Sequence, residues 1–475
     1  MAERESDLNR TSDRIPSATL LGERLGLSFQ ARKDFTNAFQ VANSLTDGTP
    51  SRVMALVYVG RAQVRSGIDP SPILTGLAQL TEEPGQTHHS FIHKGIAQVH
   101  IEAGDFESAQ DVLNREPYMP SDRGFYIELA RAKARHGQDP SSELSRVCFM
   151  IEKYGVSIQS ISFYSELAEA HYQTTGEYPE KYFSKAEAII EAHAGGNPEK
   201  RLLPGGHLSK AYATVGNFER AQALVDRIKE DNSLFEARTK MRVLQHIAQE
   251  QVSRGLYQDG IANARLAIQI IEHAEVEEVL KLPLKHMQTV NVSKVLAFIG
   301  KAQGLAGEDS SETLATALER VDQITHDGYS RKGVLVEIAK AQKAIGIDTV
   351  PTFARALTEL DAMPQDLGYD GIDMIQQMFG YKELAKIQVE FGQIDNAKIT
   401  LNRLENFNPV FDSSAMKDTV AEEVVEVLAD IAEAEARKGL SFNEIKALSK
   451  DEIQTILQGS NEQARQAIAA LGLAT

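Results

Sequence analysis

One short motif recurs along nearly the whole chain, and it constrains the fold more than any other feature. It is an aliphatic residue, a small residue directly after it, often another small residue at +3, and a glycine at +8. Copies begin at Leu25, Val59, Ile96, Leu129, Leu167, Leu208, Ile247, Ile299, Ile338, Leu384 and Ile431. The second residue is Gly, Ala or Ser in all eleven copies. The closing glycines are Gly67, Gly104, Gly137, Gly216, Gly255, Gly307, Gly346, Gly392 and Gly439, with Gly176 one residue late. Lys33 stands in that place in the first copy. Glycine is 33 of 475 residues, so chance would supply fewer than one in eleven, and the repeat is real.

Each copy spells one helix and its stop. Stretches such as Leu335–Gly346 hold good helix formers and no proline. At 100° per residue the anchor, the small residue after it and the one at +3 share a stripe, where a second backbone can approach closely. Glycine at +8 can take positive φ and end the helix. A second amphipathic helix follows, as in Phe218, Ala221 and Val225. One such hairpin cannot bury both faces, so neighbours must stack. The fold class expected is all-α: a single extended α-solenoid of about eleven antiparallel hairpins over residues 18–440. A disordered tail is expected at 1–17, an insertion near 272–291, where the spacing grows to 52, and capping helices at 441–475.

Gly104-Asp105-Phe106 with Ala109, Gly216-Asn217-Phe218 with Ala221, Gly176-Glu177-Tyr178, and Lys33-Asp34-Phe35 with Ala38 resemble the turn and second helix of the tetratricopeptide repeat. The resemblance covers most of residues 20–440. It implies a right-handed superhelix whose first helices line a concave groove for a peptide. The family's tryptophan is missing and its first-helix tyrosine survives clearly only at Tyr212, so a HEAT-like hairpin stays open as the alternative.

The +2 position points away from the packed stripe and reads as the most exposed site of each first helix. Its occupants include Arg61, Arg131, Lys210, Lys301, Lys340 and Lys386. Lys plus Arg number 50 against 67 Asp plus Glu, a net charge of −17, so six basic residues in eleven invert the local charge. This ladder is the candidate site for a protein or peptide partner, including one with an acidic segment. Such contacts would steer association and fix register. The net charge argues against nucleic acid and anionic membranes as partners. Exposed helix positions also favour Lys and Arg for solubility alone, the plainer explanation.

The polar row at +4, including Gln251, Gln342 and Gln388, lies inside the packed stripe and reads as structural hydrogen bonding. His89 and His93 are spaced i, i+4, but two imidazoles make a weak metal site, so no metal and no cofactor is expected. One cysteine, Cys148, excludes an intramolecular disulfide framework. The acidic face at Glu422, Glu423, Glu426, Asp430, Glu433 and Glu435 reads as solvated, with docking within the chain or on a basic partner as the alternative. With no apolar leader or membrane-length apolar run, the expected location is cytoplasmic. No catalytic motif is present. The functional expectation is a non-catalytic interaction scaffold. The alternative is an enzyme or ligand-gated regulator with its site in an inter-repeat cleft, near His193, His207, His273 or His286.

Overall fold

The computed structural model describes residues 18–439 except 46–49, 83–88, 116–122, 154–156, 158, 194–201, 228–233, 275–280, 325–327, 364–371 and 407–413, together with 466 and 468. The expected tail at 1–17 and nearly all of the expected cap at 441–475 lie outside the described residues. Among the described residues all regular structure is α-helical, an all-α solenoid. A single helix α1 (Ala18–Ser44) precedes the pairs α2/α3 (Pro50–Arg65, Ser71–Glu82) and α4/α5 (His89–Ala103, Phe106–Asn114). Then come α6/α7 (Arg123–Arg135, Ser141–Lys153), α8/α9 (Ser160–Thr175, Glu180–His193) and α10/α11 (Leu202–Thr214, Phe218–Asp226). The pairs α12/α13 (Leu234–Ser253, Tyr257–His273) and α14/α15 (Lys281–Leu305, Ser311–Asp322) follow. The series ends with α16/α17 (Gly328–Ala344, Val350–Asp361), α18/α19 (Ile372–Glu390, Ile394–Glu405) and the single helix α20 (Ser414–Lys438).

The nine pairs turn at nine of the motif glycines, each with φ between 69° and 85°. In eight of these turns the N–H after the glycine donates to the carbonyl of the +4 residue, as from Ile68 to Gln63 at 2.8 Å and from Leu256 to Gln251 at 2.9 Å. That bond closes a Schellman turn and satisfies a carbonyl the helix end would otherwise orphan. The late glycine, Gly176, instead donates its own N–H to Tyr172 at 2.8 Å, a simpler left-handed cap. The first copy does not turn. With Lys33 where glycine should be, the chain continues as one 27-residue helix through Asp34 and Phe35. A non-glycine residue at positive φ costs about 1–2 kcal/mol, so the helix runs on.

The small residues behave as the stripe requires. Ala97, Ala130, Ala168, Ser209, Ala248, Ala339, Ala385 and Ala432 are fully buried. A Cβ at Gly60 would sit 3.0 Å from Ile73 and 3.1 Å from Val99, so only a small residue fits there. Three of the +4 glutamines bond to the second helix of their own hairpin, whereas the buried Oε1 atoms of Gln63 and Gln303 have no hydrogen-bond partner. Gln342 accepts from Thr352 at 2.7 Å, Gln388 from Thr400 at 2.8 Å and Gln251 from Asn263 at 2.9 Å. Where the insertion was expected near 272–291, α13 ends at His273 and α14 starts early, at Lys281, so residues 281–291 are helix.

The chain divides into two compact units, residues 1–113 with 381–475, and residues 114–380. Within the first, α2 packs on α4, and α20 packs on α19, α1 and α2. Helices from the end of the sequence are thus direct neighbours of helices from its beginning. Arg65 meets Glu433 at 2.7 Å, and Lys398 lies 2.5 Å from Glu435 and 3.7 Å from Asp34. Within the second unit, first helices α6, α8, α10 and α12 stack in order, α14 packs on α16, and α13 lies against both α12 and α14.

The acidic face of α20 is not solvated. Glu423, Glu426, Glu433 and Glu435 are all buried. Lys382 contacts both Glu423 and Glu426, at 2.6 Å to the latter, and Lys386 contacts Glu426 and, at 3.6 Å, Asp430. Burial works against charge on Lys382, but its bonds to the two glutamates dominate and raise its pKa. Burial likewise pushes Glu422, Glu423 and Asp430 up, whereas the two lysines together bring Glu426 below its ordinary value against the effect of burial. Spacing alone gave these carboxylates to water because, apart from Arg437 beside Glu433, the cations that meet them sit on other helices.

Candidate functional site

The +2 ladder is not one uniform exposed row. Lys340 is exposed, while Arg61, Arg131, Lys210, Lys301 and Lys386 are half-buried. The reason is lateral stacking: first helices stand side by side, so inward side chains meet those of the next repeat. In the first unit Arg61 pairs with Glu102 at 3.0 Å, and Lys386 is taken up by α20. These two are structural ties. In the second unit Lys340 reaches only Glu337 of its own helix, at 2.9 Å. Arg131, Lys210 and Lys301 make no ion pair among the described residues.

Lys301 and Lys340 open onto one cleft of about 740 Å³ in the second unit. Gln245, Gln249 and Val252 of α12 form one wall and Tyr257 of α13 closes an end. Asn291, Lys294, Phe298, Lys301 and Leu305 of α14 form the opposite wall, with Glu337 and Lys340 of α16 beside them. The α14 residues recur at three- and four-residue intervals, so they share one helical face. Lys294 and Lys301 stand seven residues apart, about 10 Å along the axis, with Phe298 between them. A Cβ on Gly333 would lie 3.7 Å from the Lys294 ammonium, which places that ammonium against α16. Lys294 also makes no ion pair among the described residues, and the buried Asn291 amide nitrogen has no hydrogen-bond partner. Behind the face, Ala248, Val252, Ile261, Ala264, Val295, Ile299 and Ala302 form the core that fixes α12, α13 and α14.

Cleft residues absent from the ladder include Asn291, Lys294, Tyr257 and Phe298. Lys294 had a signal in the sequence: it lies one heptad before Lys301, nearly in phase with it. Nothing in the motif marked Tyr257, which owes its place to the turn after Gly255.

Of the histidines, His88 lies outside the described residues, and His89 is exposed. Among the described residues no group of three or more His, Cys, Asp or Glu side chains is placed to hold a metal. Cys148 is buried beside Lys185, 3.6 Å away, and burial raises its thiol pKa. No helix among the described residues is long and apolar enough to cross a membrane.

The glycine turns, small-residue stripes and side-by-side first helices define a helical-hairpin repeat protein. No protein-family model matches the chain, and no curated protein matches it. Among solved structures it is similar to a Signal Transduction ATPase with Numerous Domains (STAND) protein with a tetratricopeptide repeat sensor from Pyrococcus horikoshii. That match has 16% identity over 70% of this chain and 53% of the other, with a TM-score of 0.27. The chain therefore spans about half the length of that protein, and at that score the likeness carries no argument.

Proposed function

We propose that the chain is a non-catalytic, tetratricopeptide-like interaction module, and that the α12–α14–α16 cleft receives an acidic segment of a partner protein. The observation that carries this reading is the pair Lys294 and Lys301, two ammonium groups on one cleft wall that make no ion pair among the described residues. Phe298 between them, with Tyr257 and Leu305 nearby, offers apolar surface for a side chain flanked by acids. A preformed wall on packed helices loses little conformational freedom when a segment enters. The ladder contracts accordingly: Lys301 and Lys340 remain binding residues, joined by Lys294, whereas Arg61 and Lys386 hold the first unit together.

Selection from a random peptide library on the full chain tests this. Enriched peptides should carry Asp or Glu on both sides of an apolar residue. The variant with Lys294→Glu, Lys301→Glu and Lys340→Glu should bind them at least tenfold more weakly and with a flatter salt dependence. Helicity should not change. Retained affinity in that variant would remove the cleft from the reading.

A further inference from the structure

A second basic face lies on α10 and α12, away from the cleft's α14 wall. Lys210 and His207 stand three residues apart on α10, and Arg238, Arg242 and His246 stand four apart on α12. Both spacings put the groups on one side of their helices. The helices are held closely. A Cβ on Gly206 would sit 3.3 Å from Val243 and 3.8 Å from Thr239, so the missing side chain at 206 eases the approach. The Thr214 hydroxyl lies 3.1 Å from His246 Nε2, and Arg254 donates to the Thr214 carbonyl at 2.6 Å.

Within that frame like charges converge. Burial first, and Arg242 second, lower the pKa of both Lys210 and Arg238. Burial and then Lys210 lower His207 and His246. Among the described residues, Lys210, Arg238 and Arg242 have no ion-pair partner, and the Arg238 Nε is buried without a hydrogen bond. The nearest acids neutralise little. Burial pushes Glu169 up to about 7 and raises Glu250, which stands 3.9 Å from His246. Folding gains nothing from gathering cations that repel one another, so the arrangement is explained by an anion that none of the described residues provides.

We propose that Lys210, Arg238 and Arg242, with His207 and His246, form a receptor for a phosphomonoester carried on a bound polypeptide. A phosphoryl group brings close to two negative charges and three acceptor oxygens. Guanidinium forks match such oxygens in pairs, and the imidazoles can donate further bonds. A single carboxylate would leave most of the cluster unpaired. The source is a phosphorylated side chain, because this inference rests on the reading of the second unit as a polypeptide-binding surface.

Calorimetric titration of the full chain with a short capped phosphoserine peptide tests it, against serine and glutamate versions and inorganic phosphate. The phosphopeptide should bind at least tenfold more tightly than the glutamate peptide and than inorganic phosphate. Arg242→Gln should lose at least tenfold of that binding while raising the melting temperature, because it removes a repulsion. A residue with a purely structural role would lower it. Lys33→Gln, on the exposed side of α1 in the first unit, should leave phosphopeptide binding unchanged. No saturable binding, retained binding in Arg242→Gln, equal affinity for inorganic phosphate, or equal loss in Lys33→Gln would each overturn the proposal. If acidic library peptides still bind the cleft while the phosphopeptide does not, this inference alone falls.

Discussion

At the residue scale the motif divides its positions sharply between those that sequence can assign and those it cannot. The glycines could be assigned because their requirement is local: the backbone must enter positive φ whatever packs around it. Gly346 shows this well, with φ 79° and nothing within 4 Å of an added Cβ. Gly346→Ala should therefore lower stability by about 1–2 kcal/mol, the strain of a left-handed alanine, without a packing defect. Urea unfolding with an unchanged m-value would bear that out. An undiminished midpoint would mean the turn relaxes out of the left-handed region. The +2 cations behave otherwise. Their residue type can be read from sequence, but their role depends on the neighbouring helix. Arg61 finds Glu102 and Lys386 finds Glu426, while Lys301 finds no anion among the described residues.

At the element scale, periodicity assigned helices correctly and misjudged one face. The acidic face of α20 carries six carboxylates that in isolation belong in water, yet three lysines and Arg65 from other helices receive most of them. No pattern within α20 announces this. The match is between residues up to 368 positions apart. One contact has a consequence near neutral pH. Burial, opposed by Lys398 and reinforced by Asp34, pushes Glu435 up to about 7 from an ordinary 4.5. Its stability contribution is full below about 4.5, where folded and unfolded chains both hold the proton, and is lost as pH rises to about 7. The bond to Glu435 raises Lys398 against the effect of burial, so Lys398 keeps its proton throughout that window. Stability should thus fall between about pH 4.5 and 7 and level off above that, and Glu435→Gln should shrink the slope. Glu169, also near 7, titrates in the same window, so some slope should remain. Urea midpoints across that range decide it. Identical slopes in the two proteins would show that Glu435 titrates normally.

At the scale of the whole molecule, repeat arrays usually gain stability from neighbours along the sequence, so a defect weakens its own region. The first unit departs from that rule because α1 packs on α20, at the other end of the described chain. Sequence could not show this: the lost glycine at position 33 hints at a longer helix but not at what the helix covers. Phe35 of α1 is 3% exposed. Its replacement by alanine should cost about 3–5 kcal/mol as a core cavity. The distinguishing readout is where the loss appears. Amide exchange should speed up in both α1 and α20, some 390 residues apart in sequence, while α10 to α12 in the second unit keep their protection. Exchange that rises in α1 alone would show that the two helices open independently, and that their contact adds little to the stability of the first unit.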